Sequence, residues 1–207
     1  MLQKELIHTK FELAKYKQSD ICEHVETLCN YAKNASTILE CGVRTAVSTW
    51  GFVEGLLNNN NDIKKLVSCD LKRDAPFNTI EPLLKSVIDF NFWEGNDLTF
   101  PENETFDIIF IDTWHIYGHL KRELKKFAPM CNKWIIMHDT TVDEWQGETI
   151  RCGWDPHQQS IESGYPVDEI TKGLWPAIVE FLMDNQNYVI KQRYTNCNGL
   201  TILERIA

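Results

Sequence analysis

TILECGVRTAVSTW (37–50), followed by KLVSCD (65–70), is the stretch that decides the fold. TILE and KLVSCD are short apolar runs of the kind that fill buried parallel strands. A helical segment is expected between them, over about 46–58, opened by a turn in which Gly42 permits a close backbone approach. Strand, tight turn, helix and strand make a βαβ unit with a right-handed crossover. Asp70 closes the second strand 30 residues beyond Glu40.

The rhythm continues along the chain. DFNFWE (89–94), FDIIFID (106–112) and KWIIMHD (133–139) predict further strands, and helices are expected over about 76–88, 118–128 and 173–185. The end departs from this pattern. YVIKQRY (188–194), TNCNG and LTILERI (200–206) read as an antiparallel hairpin closed by an Asn-Gly-containing turn. The expected fold class is α/β: a Rossmann-like, seven-stranded, mostly parallel sheet with an antiparallel C-terminal hairpin and helices on both faces. A plain dinucleotide-binding domain lacks the hairpin, and GxGxxG is absent here. Residues 1–36 read as an N-terminal helical segment, with Leu2, Leu6, Phe11, Leu13, Ile21, Val25, Leu28 and Tyr31 at helical spacing. Residues 37–207 complete what reads as a single domain. Residues 140–172 have weak periodicity and are rich in Trp, Asp, Glu, His and Gly, the composition of a functional loop.

Composition excludes several classes. The chain has 207 residues, enough for one α/β domain, and 43% of them are hydrophobic. A formal net charge of −9 argues against nucleic acid, which needs a basic face. The seven cysteines are odd in number and form no CxxC pair, as expected of reduced thiols in a cytoplasmic protein. The first residues carry charge without an apolar leader, and no apolar stretch is as long as a membrane span, so no membrane partner is expected.

The run from Glu40 to Thr49 resembles motif I of the class I S-adenosylmethionine-dependent methyltransferases, E/D-x-G-x-x-x-G-x-S/T. Ala46 stands where that family often has glycine. The resemblance implies S-adenosyl-L-methionine as cofactor, with Glu40, Gly42, Arg44, Thr45 and Ser48 around it. Free N–H groups at the following helix N-terminus suit the methionine carboxylate. Asp70 would accept the ribose hydroxyls, and Asn96 or Asp97 would meet adenine.

FDIIFIDTWHIYGHLKRELKKF (106–127) is similar to the fourth strand and next helix of the catechol-type O-methyltransferases, where the strand reads close to F-L-D-H-W-K. By that resemblance Asp112 faces the reacting centre beside the cofactor and binds a divalent metal, magnesium or manganese. His115 falls where that pattern has its catalytic lysine. Imidazole suits removal of a hydroxyl proton. WIIMHDTT (134–141) puts Asp139 on the family's second metal-ligand position, with Thr140 where an asparagine would stand. Catalytic roles thus fall to His115, Asp112 and Asp139, and metal ligation to Asp112, Asp139 and Thr140. Without a metal, His115 oriented by Asp112 or Asp139 is still an acid–base unit. His119 and His157 read as surface residues.

Beyond Thr140, the residues His138, Glu144, Trp145, Trp154 and Tyr165 are the candidates for holding the acceptor. Aromatic faces beside carboxylates match what a carbohydrate needs. The end of the chain is also similar to sugar-modifying O-methyltransferases of the macrolide-sugar and cephalosporin types. The expectation is therefore O-methylation of a sugar, glycan or similar small molecule. A homodimer, or a place in a larger glycan-modifying protein, is compatible with this. The N-terminal segment would cover the pocket, mediate dimerisation or link to another domain. The alternatives are a nicotinamide-dependent oxidoreductase and a non-catalytic Rossmann-like binding domain.

Overall fold

The computed structural model describes residues 2–206. Seven strands form one sheet: β1 (Thr37–Cys41), β2 (Lys65–Asp70), β3 (Asp89–Glu94), β4 (Phe106–Ile111), β5 (Cys131–His138), β6 (Tyr188–Tyr194) and β7 (Leu200–Arg205). Their spatial order is β3-β2-β1-β4-β5-β7-β6. The first five pair in parallel, and β7 runs antiparallel to both β5 and β6. The strand order reverses beside β1, and ligands of open α/β sheets collect at such switch points.

Alternation along each strand separates two cores. Ile38, Ile108, Phe110, Ile136 and Ile202 point to one face and are fully buried there. Leu39, Ile109, Ile135 and Leu203 point to the other. The first face is covered by α1 (Leu2–Tyr16), α2 (Val25–Ala32), α3 (Val47–Leu57) and α4 (Phe77–Lys85). The second is covered by α5 (Tyr117–Phe127) and α9 (Leu174–Asp184). The N-terminal helices share the first core: Ile7, Val25, Leu28 and Ala32 are fully buried in it.

Helix α3 is buried almost all round because it lies between the sheet and α1 and α2. Its Gly51 and Gly55 set how near α2 can come. A Cβ on Gly55 would lie 2.4 Å from both the Cys29 carbonyl oxygen and the Ala32 Cβ.

Residues 140–172 are more ordered than weak periodicity implies. They hold three short helices, α6 (Glu148–Arg151), α7 (Pro156–Ser163) and α8 (Val167–Thr171). Local caps make α7: the Asp155 carboxylate accepts from the backbone N–H of His157 and Gln158, and Gly164 ends the helix in the left-handed conformation. A lone bridge between Gln146 and Lys172 ties off the excursion. All seven cysteines are free. Among the described residues no helix is long and apolar enough to cross a membrane.

The α2–α3 contact yields the first prediction. Gly55→Val should destabilise the protein by about 1–3 kcal/mol through overpacking, read as a lower urea midpoint at unchanged slope.

Candidate active-site cleft

A cleft of about 930 Å³ opens where the parallel strands end. Its floor is the turn after β1. The Gly42 N–H donates to the Cys69 carbonyl at 2.9 Å, and the Asp112 N–H donates to the Cys41 carbonyl at 2.8 Å. Gly42 has φ +84°, and a Cβ there would lie 1.8 Å from the Asp112 carbonyl oxygen. No other residue fits. Ala46 caps α3 in the left-handed conformation at φ +62°, with its methyl fully buried. An alanine thus takes a backbone geometry that glycine adopts without strain.

The turn residues are held from two sides. One oxygen of Asp70 accepts from the Val43 and Arg44 N–H groups at 2.8 and 3.0 Å. The Arg44 guanidinium meets both oxygens of Asp20 at 2.6 and 2.8 Å, and the Thr45 hydroxyl accepts from Lys17 at 2.9 Å. These side chains therefore turn toward the N-terminal segment, whose residues 17–21 wall the cleft. Residues 17–21 of the segment thus cover one side of the cleft.

Gly42, Arg44, Thr45, Ser48, Asp70, Asn96, Asp97 and Asp112 all line the cleft, but Glu40 does not. Its carboxylate lies inside the sheet and accepts from Ser48 (2.6 Å), Thr49 (3.0 Å) and Ser68 (2.6 Å). Burial pushes its pKa up to about 7 against the pull of those three hydroxyls. Glu40 thus positions the first turn of α3 from within the sheet. The Asn96 side chain accepts from the Leu98 N–H. Asp97 is buried against His119.

The chemistry-bearing residues converge beyond this turn. His115 Nε2 lies 3.2 Å from Asp112 Oδ1 and 3.1 Å from Asp139 Oδ2. His138 Nδ1 lies 3.3 Å from the same two oxygens. Two nitrogens and two oxygens thus alternate around a small ring. The far side of each imidazole is also held. His138 Nε2 donates to the Cys197 carbonyl at 3.0 Å, and His115 Nδ1 faces Asp143 at 3.3 Å as an ion-pair contact without hydrogen-bond geometry. Asp143 in turn takes two bonds from Arg151, at 2.6 and 2.8 Å. Asp139 stands at φ +56°, a strained conformation that marks functional positions, and its Oδ1 is buried without a donor.

Charge explains the protonation states. Burial would raise the pKa of Asp112, but the charge of His138 and the bonds from both imidazoles hold it far below the usual carboxylate range. Burial opposes protonation of His115, yet Asp112, Asp143 and Asp139 hold its pKa well above the usual value. His138 is pushed up to about 10, with burial again opposing and the Asp112 charge leading the opposite pull.

The structure does not gather every expected residue. The Thr140 hydroxyl accepts from Thr201 on β7 at 2.9 Å, so its side chain is engaged within the sheet. Glu144 pairs with Arg193 at 2.9 Å. Trp145 is exposed outside the cleft, whereas Trp154 and Tyr165 line it. His157 is exposed, but His119 is buried beside Asp97 and is no surface residue. Asp143 and Glu123 were missed. Asp143 had one signal, its spacing of four from Asp139, which closes a helical turn through an Asp143 N–H to Asp139 carbonyl bond.

No protein-family model matches the chain, and neither does any curated protein. Solved structures do match it. The O-methyltransferase from Bacillus cereus, crystallised in complex with SAH, is 15% identical over 99% of this chain and 91% of its own, at TM-score 0.60. A putative caffeoyl-CoA O-methyltransferase from Staphylococcus aureus matches 96% of this chain and 91% of its own at TM-score 0.61 and 15% identity. The N-methyltransferase NodS from Bradyrhizobium japonicum matches 99% of both chains at TM-score 0.54 and 11% identity. The fold is that of the class I methyltransferases. At these identities the match speaks for architecture: a mostly parallel seven-stranded sheet ended by an antiparallel hairpin, as the sequence pattern predicts.

Two predictions follow from the cleft floor. Gly42→Ala should lower the urea midpoint of unfolding, because the turn cannot close over the Asp112 carbonyl. Glu40 binds its proton more tightly in the folded state than at the ordinary value of 4.5. Its contribution is therefore complete below that value and fades as pH rises through about 7, by on the order of 3 kcal/mol. Between pH 5 and 8 the wild type should lose stability relative to Glu40→Gln, measured by urea unfolding.

Proposed function

We propose that this protein is an S-adenosylmethionine-dependent O-methyltransferase acting on a hydroxyl of a sugar, glycan or similar small molecule. The observation that carries this reading is the placement of His115. Its imidazole lines the same cleft as the Gly42 turn, between Asp112 and Asp139. Neighbours in fold were crystallised with SAH, the product of methyl donation, which supports the same cofactor here.

The residues assign roles. The Gly42–Thr45 turn and Asp70 would hold methionine and ribose, and Asn96 would face adenine. Once deprotonated, His115 would take the acceptor hydroxyl proton at Nε2, with Asp143 beside Nδ1 and Arg151 holding Asp143. The freed oxygen would then meet the sulfonium methyl in line, and fixed geometry would supply much of the rate. Trp154 and Tyr165 offer aromatic faces to the C–H surface of a sugar, and Glu148 offers a carboxylate to its hydroxyls.

The donor set fits a divalent ion. Asp112, His138 and Asp139 converge, Asp139 Oδ1 lacks a donor, and His138 gives its other N–H to a backbone carbonyl, as metal-binding histidines do. Imidazole in this set favours manganese over magnesium. Such an ion would lower the pKa of a bound acceptor hydroxyl and replace the positive charge of the two imidazoliums.

His115→Ala should lower kcat by about 10²–10⁴-fold in a methyl-donor assay on mixed glycosides while keeping S-adenosylhomocysteine affinity within a few fold. Asp139→Asn should remove any dependence on added manganese. Calorimetric binding of NAD in place of S-adenosylhomocysteine would overturn the reading. Loss of manganese binding in His115→Ala would make His115 a ligand and not the base.

A further inference from the structure

A second cluster lies behind the Asn96 side of the cleft. Asp97 follows β3, and His119 and Glu123 sit one turn apart on α5. All three are more than nine-tenths buried. His119 Nε2 lies 3.2 Å from Asp97 Oδ1 and 3.8 Å from Glu123 Oε1. The two carboxyl groups also meet each other, and each keeps one oxygen, Asp97 Oδ2 and Glu123 Oε2, buried with no donor. Ionised carboxylates only accept hydrogen bonds. Two of them in contact inside protein require something electropositive between them, either a proton or a cation.

We propose that Asp97, His119 and Glu123 form a second cation site that takes a divalent transition-metal ion. Three observations favour an ion over a shared proton. Two carboxylates and a neutral imidazole balance a charge of two. The donor atoms lie within 4.8 Å of one another, the spacing of ligands around an ion bound at about 2.0–2.2 Å. The outer partners of a metal site are also in place. His119 Nδ1 lies 3.1 Å from the Tyr165 hydroxyl, and Glu123 Oε1 accepts from the Thr113 hydroxyl at 2.6 Å. One nitrogen with two oxygens suits a divalent transition metal, with room for a further ligand. Asp97 and His119 line the cleft, which gives the ion a route in.

The site would do a definite job. It would fix the loop after β3, which carries Asn96, to helix α5. Through His119 it would also hold Tyr165, whose ring stacks on Trp114 at 5.7 Å and lies under the Arg122 guanidinium at 4.2 Å. A bound ion would thus tie the Asn96 side of the cleft to the segment that covers it. This does not depend on the methyl-transfer reading.

The test uses cobalt(II) as probe on the full-length protein stripped with EDTA. Binding is followed by calorimetry and by visible ligand-field absorption. The expected result is one equivalent that survives Asp139→Asn but is lost in both His119→Gln and Glu123→Gln. Crystals of the wild type should show cobalt anomalous signal within about 2.1 Å of His119 Nε2. If both Gln variants fold, by circular dichroism, and take up as many equivalents as the wild type, the cluster holds a proton and the proposal falls. It falls equally if every equivalent disappears in Asp139→Asn, or if the anomalous signal is absent from His119. Failure of the variants to fold leaves the anomalous signal to decide. An S-adenosylhomocysteine titration run alongside reports on the methyl-transfer reading separately.

Discussion

Asp112 has to stay ionised inside the protein, and much of the structure serves that one constraint. Its backbone is fixed by the bond to the Cys41 carbonyl and by the bare Cα of Gly42 against its own carbonyl. Its carboxylate is answered by two imidazoles. The residue thus joins the Gly42 turn and the histidine–aspartate cluster through a single peptide. A shift of β4 by one residue would break both at once, because strand register sets which face each side chain takes.

The imidazoles in turn need partners on their far sides, and these come from distant parts of the chain. His138 is held by the Cys197 carbonyl in the turn between β6 and β7. That turn runs through three residues of positive φ, Cys197, Asn198 and Gly199, and its Asn198 carbonyl takes the Thr141 and Val142 N–H groups. The terminal hairpin is therefore part of the site, since it braces the loop that presents Asp139. Removing one partner from such a buried ionic set leaves an uncompensated charge, at about 3–5 kcal/mol. Conservation of charge within the cluster thus weighs more than any one of its distances.

The sheet was legible because its signal is periodic. Each apolar run from TILE to LTILERI falls on an observed strand within two residues. The convergence of Asp112, His115, His138 and Asp139 was legible for a related reason: strand ends in such a sheet point to one edge. What could not be read was direction and long-range pairing. Glu40 stands one residue before the end of the strand that leads into the Gly42 turn but points into the sheet, where Ser48, Thr49 and Ser68 meet it. Thr140 follows Asp139 but turns to Thr201, 61 residues away. His119 looked like a surface residue on a charged helix because its partners, Asp97 and Tyr165, are 22 and 46 residues distant. Short helices set by caps, such as α7, carry no periodicity at all.

The same long-range pairings show how cover and chemistry are coupled. Asp143 and Arg151 belong to the excursion between β5 and α9, yet they orient His115 from α5's approach. The Glu148 N–H donates to the His115 carbonyl at 2.9 Å, and the Glu148 carboxylate accepts from the His115 N–H at 3.4 Å. The segment that roofs the cleft is therefore bonded directly to the backbone of the proposed base. Opening the roof would release Asp143 from Nδ1 and leave His115 facing the two strand-end carboxylates alone.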